Sequence, residues 1–200
     1  MRVPRDQGPD GLISSVFTVP NLVSAFRILL VPIFAWSLLE GQRIEPVIIF
    51  FIAGISDLFD GFIARHLHQR SRLGAILDPA GDKLLMAASY ILLAIPNVAV
   101  PNRIPVWLTI IVFGRDLMIS GGVFWAFLTY RIKPVLPMFI GKLTTAFQIG
   151  TVFLVLVTNY TGNPAAWMVI FYAITAGLTL VSWALYFLRG LRLLRERRPA

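Results

Sequence analysis

Long apolar stretches run through most of this 200-residue sequence, and they constrain its fold more than any other feature. A helix needs about 20 apolar residues to cross a hydrocarbon core about 30 Å thick. Hydrophobic residues make up 57% of the chain and charged residues only 14%, unlike an ordinary soluble domain. The sequence therefore predicts an all-α integral membrane protein with six transmembrane helices, at roughly 22–39, 46–64, 80–96, 105–128, 139–158 and 165–188.

The segments outside these stretches are short, so no separate soluble domain is expected. We predict an N-terminal segment at 1–20, a six-span domain at 21–188 and a basic tail at 189–200. The first segment contains Pro, Gly and Asp where a cleavable signal would need an unbroken apolar core, so no signal peptide is expected. The sequence has no cysteine, which excludes disulfides, thiolate metal sites and cysteine nucleophiles.

The basic residues predict the orientation of the chain. Twelve of the eighteen lie on the side of the spans that holds both termini, and only Arg43 and Arg103 lie on the opposite side. Because cytoplasmic loops of membrane proteins are enriched in Lys and Arg, both termini are predicted to be cytoplasmic. The net charge of +8 follows largely from this bias. The basic residues are dispersed over separate loops without an aromatic-basic face, so nucleic-acid binding is not indicated.

Four aspartates within or beside the second and third spans are the most unusual feature. Asp57 and Asp60 are three residues apart, and Asp78 and Asp82 are four apart, so each pair lies on one face of a helix. Ionisable residues within membrane spans are costly and usually functional. If a short cytoplasmic turn joins the two helices, all four carboxylates can converge.

Converging carboxylates need a cation between them. Two carboxylates 4 Å apart repel by roughly 4 kcal/mol even at an effective dielectric constant of 20. Oxygen ligands without His or Cys favour a hard divalent ion such as Mg²⁺, Mn²⁺ or Ca²⁺ over zinc. The acidic pairs therefore predict a divalent-cation site.

Small residues are interleaved with the carboxylates. Gly61, Ala64 and Gly74 either let helices pack closely, as is common in membranes, or leave space for a ligand to approach the backbone. Arg65 lies beside them, and metal ions with an arginine typically bind phosphate oxygens. This combination favours a phosphate-bearing ligand.

The spacing of these residues resembles a known signature. Asp57-x-x-Asp60-Gly61-x-x-Ala64-Arg65, followed after eight residues by Gly74-x-x-x-Asp78-x-x-x-Asp82, is similar at every position to that of the CDP-alcohol phosphotransferase family. The resemblance implies six spans, an N-terminal segment along the cytoplasmic interface and usually a homodimer. It also implies transfer of a phosphatidyl or similar group from a CDP-linked donor to an alcohol, with release of CMP, at the cytoplasmic membrane.

The resemblance also implies a role for each position. Asp57, Asp60 and Asp78 would hold two divalent cations, Mg²⁺ or Mn²⁺, on the pyrophosphate of CDP-diacylglycerol. Asp82 would bind one of these ions and take the proton from the acceptor hydroxyl. The cytidine and phosphate cradle would be formed by Gly61, Ala64, Arg65 and Gly74, with Asn21 and Arg27 from the first span. A lone arginine such as Arg27 could alternatively snorkel or pair with another helix.

The acceptor site is predicted from two further basic residues in spans. Arg115 lies in the fourth span and Lys142 opens the fifth; together they suggest an acceptor that carries phosphate. The alternative is an internal neutralisation of Asp116 by Lys142 or an arginine. Within the family, such an Arg and the Gly-Lys-x-x-Thr-x-x-Gln opening at 141–148 resemble enzymes that use glycerol 3-phosphate.

Two departures keep a second acceptor open. Asp116 and Thr144 are more similar to the CMP-forming cardiolipin synthases of the family, whose acceptor is phosphatidylglycerol. A rival from another class is a cation-coupled transporter, because intramembrane carboxylates can bind cations. A transporter would not explain the glycines, Arg65 or the fixed spacing.

Overall fold

The computed structural model describes the backbone of residues 19–67, 74–96, 100–130, 138–163 and 165–196. Side chains are described at 23, 25–56, 81, 83–96, 100–122, 138–163 and 165–192. Residues 1–18, which make up most of the N-terminal segment predicted to lie along the membrane interface, residues 68–73 and the last four residues are outside the described residues.

The described backbone is all helical, as predicted. Six helices lie close to the six predicted spans: α1 (Val19–Leu39), α2 (Glu45–Leu67), α3 (Gly74–Ala94), α4 (Val106–Tyr130), α5 (Phe139–Thr161) and α6 (Met168–Glu196). The long apolar runs favour helices because a helix satisfies its backbone hydrogen bonds internally, which is required wherever water is absent.

Two segments of the described residues are long and apolar enough to cross a membrane. They are Phe139–Thr161, which is the whole of α5, and Met168–Arg192 in α6. Shorter apolar helical segments lie at Ala25–Leu39, Glu45–Ser56 and Lys83–Ala94. Each of the six predicted spans thus corresponds to one helix. Two of these helices, α5 and α6, contain a segment with the length and composition required of a membrane span.

Contacts divide the chain into two compact units, residues 1–92 and 93–200. In the first, α1 packs against α2. The rings of Phe34 and Phe50 meet with their centroids 6.2 Å apart, and both side chains are buried. Gly41 has a φ of 70°, the left-handed conformation in which glycine commonly ends a helix, so the chain turns there into α2.

In the second unit, α6 packs against both α4 and α5. The turn from α5 into α6 contains Gly162, which has a φ of 74° and donates its backbone N–H to the Asn159 carbonyl. Because α6 contacts both other helices, residues on its surface can join groups from α4 and α5. This arrangement positions the cluster described below.

Polar side chains line the buried contact between α5 and α6. Their hydroxyls form what we call the threonine ladder: Thr144 donates to the Leu178 carbonyl at 3.2 Å, and the Thr151 and Thr175 hydroxyls lie 2.7 Å apart. Gln148 donates to Thr179 at 3.3 Å. Small and hydroxyl-bearing residues let membrane helices approach closely and hydrogen-bond to each other, so the ladder fixes the pairing of α5 with α6.

Candidate functional site

The four aspartates predicted to bind metal lie on two helices. Asp57 and Asp60 are in α2, and Asp78 and Asp82 are in α3. The helical backbone confirms the assumption behind the spacing argument, that each pair is separated by about one turn of a helix. Both pairs therefore lie on a single face of their helix.

The structure does not describe the side chains of the signature residues. This applies to the four aspartates and to the predicted donor-binding residues Gly61, Ala64, Arg65, Gly74 and Asn21. Their backbones lie in α1, α2 and α3, with Gly74 as the first residue of α3. Among the side chains that are described, no three His, Cys, Asp or Glu residues form a group that could hold a metal ion. The convergence of the four aspartates therefore stays a prediction.

Arg27 is the one predicted donor-binding residue with a described side chain. It lies in α1 and is only 1% exposed. A snorkelling arginine keeps its charged head in water, and a buried charge is costly unless it is compensated. The burial therefore favours a role for Arg27 within the protein over snorkelling.

Arg115, predicted to bind the acceptor, is held by groups from two helices. Its Nη1 donates to Asp116 Oδ1 at 2.7 Å, and the Arg115 side chain is 11% exposed. Its Nη2 donates to Ser182 Oγ of α6 at 3.3 Å. The buried Nε has no hydrogen-bond partner among the described residues. Arg115 is therefore a fixed cation with donor capacity left over.

Tyr186 of α6 completes this cluster. The Arg115 Cζ atom lies 5.9 Å from the centroid of the Tyr186 ring, within the range of a cation–π contact. The Tyr186 hydroxyl accepts a hydrogen bond from the Met138 backbone N–H at 3.0 Å. Met138 directly precedes α5, so Tyr186 links Arg115 to the start of that helix.

Lys142, the second predicted acceptor residue, lies in the first turn of α5 and is exposed. Within the described part of the chain it makes no salt bridge, and the Asp116 carboxylate pairs with Arg115. Of the two neutralisations considered for Asp116, the structure therefore has the arginine one. Lys142 is therefore not used to neutralise Asp116.

Two other residues of the 141–148 motif make contacts within or between helices. Thr145 donates to the Gly141 carbonyl one turn earlier at 3.1 Å. Gln148 is buried, with 3% exposure, and belongs to the threonine ladder. The Gln148 contact is explained by the packing of α5 against α6, whereas the Thr145 bond lies within its own helix.

Sequence reasoning did not identify Tyr186 or Ser182. They lie four residues apart and so share one face of α6, but both stand in an apolar run that reads simply as a span. No charge marks them. The available signal was the short distance between Tyr186 and Arg189, where the apolar run gives way to arginines and a tyrosine can be partly wet.

Comparison with known protein families agrees with the signature in α2 and α3. The family model described as CDP-alcohol phosphatidyltransferase matches residues 17–187. The match spans all six helices up to the basic end of α6. The chain therefore belongs to the CDP-alcohol phosphatidyltransferase family.

The similar proteins carry two kinds of name. The chain is 34% identical over 157 residues to the CMP-forming cardiolipin synthase of Homo sapiens, covering 69% of this chain and 50% of that protein. It is 32% identical over 187 residues to the CDP-diacylglycerol–glycerol-3-phosphate 3-phosphatidyltransferase of Pseudomonas fluorescens, covering 84% and 87%. It is also 31% identical over 192 residues to the CMP-forming cardiolipin synthase of Streptomyces coelicolor, covering 90% and 86%. The chain spans about half the length of the human and rat relatives.

Proposed function

We propose that this protein transfers a phosphatidyl group from CDP-diacylglycerol to a phosphate-bearing alcohol and releases CMP. The observation that carries the proposal is the complete eight-residue signature of α2 and α3 within the region that matches the family. Glycerol 3-phosphate is the first acceptor we propose, as the name of the Pseudomonas relative suggests. This would make the protein a phosphatidylglycerophosphate synthase of phospholipid biosynthesis.

A second acceptor, phosphatidylglycerol, is supported by different observations. Asp116 and Thr144 resemble the cardiolipin synthases, and relatives with that name match the chain over up to 90% of its length. Both acceptors carry a phosphate and a free hydroxyl. They differ in size and charge, so a direct assay separates them.

The donor set suits two hard divalent cations. Asp57, Asp60, Asp78 and Asp82 offer only carboxylate oxygens, which Mg²⁺ and Mn²⁺ prefer. When bound, two such ions would neutralise negative charge on the pyrophosphate and on departing CMP. We propose that Gly61, Ala64, Arg65 and Gly74, with Asn21 and Arg27, hold the cytidine and phosphates. Asp82 takes the proton as the acceptor oxygen bonds to the phosphatidyl phosphorus and the phosphorus–oxygen bond to CMP breaks.

The acceptor phosphate is assigned to Arg115 and Lys142. Arg115 has donors left after its bonds to Asp116 and Ser182, and Lys142 is exposed on the first turn of α5. Charge-assisted hydrogen bonds to phosphate are stronger than neutral ones. The two residues would hold the acceptor while its hydroxyl reacts.

The proposed setting is the cytoplasmic membrane. We infer that all six helices are spans, that 21–188 forms the catalytic domain, and that both termini and the active site face the cytoplasm. The support is the distribution of basic residues, twelve on one side and two on the other, which follows the positive-inside rule. The resemblance to the family supports a homodimer.

The test is an assay of purified protein with CDP-diacylglycerol and either glycerol 3-phosphate or phosphatidylglycerol. We expect CMP release and a new phospholipid identified by mass spectrometry, with Mg²⁺ or Mn²⁺ required and a chelator abolishing turnover. Failure to release CMP with either acceptor would contradict the proposal and favour the alternative of a cation-coupled transporter. Full turnover in the presence of a chelator would show that the proposed dependence on a divalent cation is wrong.

Substitutions within the signature separate the roles of the aspartates. Asp57→Asn removes a ligand charge and should weaken metal and donor binding together, abolishing transfer. Asp82→Asn should leave donor binding largely intact while transfer collapses, because the proton acceptor is lost. Glu40→Gln, which removes an exposed carboxylate outside the signature, is the matched control and should be neutral. Equal loss of donor binding and transfer in Asp82→Asn would make Asp82 a ligand only.

A further inference from the structure

We propose that Tyr186 is a positioning residue of the acceptor site, which holds Arg115 with its ring and the Lys142 turn of α5 with its hydroxyl. The inference rests on the proposed function, because it takes Arg115 and Lys142 as the groups that bind the acceptor phosphate. Tyr186 lies on α6, the helix that packs against both α4 and α5. It can therefore set two cations from different helices in one arrangement.

Arg115 is held by three neighbouring side chains. Asp116 binds its Nη1 at 2.7 Å, Ser182 binds its Nη2 at 3.3 Å, and the Tyr186 ring lies 5.9 Å from Cζ. A planar guanidinium with contacts at two nitrogens and against an aromatic ring is pre-organised, so it loses little freedom when it binds an anion. The buried Nε, without a hydrogen-bond partner in the described part, is a donor still to be used.

The peptide groups of Met138 fix the start of α5. Its N–H donates to the Tyr186 hydroxyl at 3.0 Å. Its carbonyl accepts from the N–H groups of Gly141 at 3.0 Å and Lys142 at 3.4 Å. Tyr186 therefore fastens the residue on which the first turn of α5 closes, and that turn carries Lys142.

Tyr186 and Arg115 also approach the backbone closely at Gly141. A Cβ atom at this position would lie 2.8 Å from the Tyr186 hydroxyl oxygen, 3.3 Å from Tyr186 Cε2 and 3.4 Å from Arg115 Nη2. Both side chains thus reach the same point on the α5 backbone, and only glycine leaves room for them. An alanine here would push Tyr186 off the Met138 N–H.

A purely structural role for Tyr186 predicts something different. Tyr172, on the same helix, donates its hydroxyl to the Arg103 carbonyl at 3.1 Å and has no guanidinium against its ring among the described residues. Removing that hydroxyl should affect stability alone. Tyr186 differs because its two contacts lead to the two cations, so its loss should change acceptor binding selectively.

The experiment compares Tyr186→Phe, Tyr186→Leu and the control Tyr172→Phe. Phenylalanine keeps the ring under Arg115 but loses the hydrogen bond to Met138, and should raise the acceptor KM about two- to tenfold. Leucine loses both contacts and should raise it roughly tenfold or more. The donor KM should stay constant in all three variants, and Tyr172→Phe should leave the acceptor KM unchanged. Tyr186→Phe behaving as Tyr172→Phe does would overturn the proposal.

A second pair of variants repeats the test from the α5 side. Gly141→Ala should raise the acceptor KM by displacing Tyr186. Gly150→Ala is the matched control, because a Cβ at Gly150 meets nothing within 4 Å. An unchanged acceptor KM in Gly141→Ala would also count against the proposal.

A binding measurement separates this proposal from the proposed function. Heating the protein with and without glycerol 3-phosphate or inorganic phosphate reports anion binding without turnover. If the protein releases no CMP but these anions stabilise it and Tyr186→Phe weakens that effect, the transferase proposal fails and the role of Tyr186 stands. If neither anion stabilises the wild-type protein, and if Tyr186→Phe leaves the acceptor KM of an active enzyme unchanged, the proposed role of Tyr186 is wrong.

Discussion

Two polar clusters lie at opposite ends of α5 and differ in how completely their groups are paired. At the beginning of the helix, the acceptor cluster consists of Arg115, Gly141, Lys142, Ser182 and Tyr186. At its end, the asparagine cluster consists of Asn102, Asn159, the Asn163 carbonyl and the Ala165 N–H. Eighteen residues separate Gly141 from Asn159, which is about 27 Å along a helix.

The asparagine cluster is a closed set of hydrogen bonds. The Asn102 backbone N–H donates to Asn159 Oδ1 at 2.7 Å, and Asn159 Nδ2 donates to the Asn102 carbonyl at 3.0 Å. The Asn102 amide donates to the Asn163 carbonyl at 2.9 Å and accepts from the Ala165 N–H at 2.8 Å. Each amide both donates and accepts within the protein, so the cluster fastens the segment before α4 to the α5–α6 turn.

The acceptor cluster, in contrast, is charged and contains a hydrogen-bond donor without a partner among the described residues. Arg115 Nε is buried without a hydrogen-bond partner among the described residues, and Lys142 is exposed. An unpaired buried polar group costs free energy, so it needs an explanation, of which a bound water or ion is one. The asparagine cluster, in which each side-chain oxygen and nitrogen has a partner, is explained by the fold alone, whereas the charged cluster at the start of α5 leaves donors that agree with the proposed binding of an anion.

The largest effect on stability should come from Asn102→Ala. The change removes both side-chain hydrogen bonds and leaves the Ala165 N–H and the Asn163 carbonyl without their partner. At about 1–3 kcal/mol for each of the two groups left unsatisfied, we expect a loss of roughly 2–6 kcal/mol in the free energy of unfolding. Thermal unfolding in detergent measures it. The acceptor KM should not change.

Asn163→Ala is the matched control for this prediction. Asn163 contributes its backbone carbonyl to the cluster, and its side chain is exposed, so the substitution should be nearly neutral. If Asn102→Ala raised the acceptor KM as well as lowering the free energy of unfolding, the two ends of α5 would not be independent, and the contrast between the two clusters would fail.

The next effect in size is the loss of acceptor binding in Lys142→Met. A charge-assisted hydrogen bond contributes roughly 1.5–3 kcal/mol, and each 1.4 kcal/mol corresponds to a factor of ten. The acceptor KM should therefore rise about ten- to a hundredfold, while donor binding and thermal stability hold. A loss of stability without a change in acceptor KM would assign Lys142 to the fold.

Arg115→Met should raise the acceptor KM to a similar extent and also lower stability. It leaves the Asp116 carboxylate, 34% exposed, without its cation. The double variant Arg115→Met with Asp116→Asn removes the whole pair, so it should regain stability but not acceptor binding. If the double variant regained activity as well, Arg115 and Asp116 would be a structural pair and the acceptor assignment would be wrong.

Hydropathy located the helices well but not their polar ends. The predicted third span begins at residue 80, whereas α3 begins at Gly74; the predicted sixth span stops at 188, whereas α6 continues to Glu196. Hydropathy reports which residues suit lipid, while helical hydrogen bonding continues through polar residues such as Asp78 and Arg189. The extra turns could not be read from the apolar pattern.

Contacts between residues far apart in the chain also could not be predicted from the sequence. The fixed spacing of the aspartates led to the family, because it depends on residues close together in the chain. Asn102 stands in a Pro-Asn-Arg segment that reads as a turn, and its partner Asn159 is 57 residues away. Tyr186 meets Met138 across 48 residues. Contacts of this kind depend on how helices pack, which no local pattern records.

The smallest effect should come from the threonine ladder, which lies between the two clusters. Replacing Thr151 and Thr175 by Val, singly and together, removes the hydroxyl contact of 2.7 Å. Thr151 also donates to the Phe147 carbonyl of its own helix, and helices separated in a membrane still find other partners. Interhelical hydrogen bonds in membranes therefore average only about 0.6 kcal/mol in double-mutant cycles, with a maximum near 1.7.

We accordingly expect a coupling between Thr151 and Thr175 of about 0.6 kcal/mol, measured by unfolding in mixed detergent micelles, and an unchanged acceptor KM. Thr158→Val is the matched control, because among the described residues Thr158 bonds only to the Leu154 and Val155 carbonyls of its own helix, so it should show no coupling to Thr175. A shift in acceptor KM in the double variant would mean that the ladder sets the position of Arg115 through Ser182. In that case the acceptor cluster would depend on the packing of the whole α5–α6 pair, and its separation from the asparagine cluster would not hold.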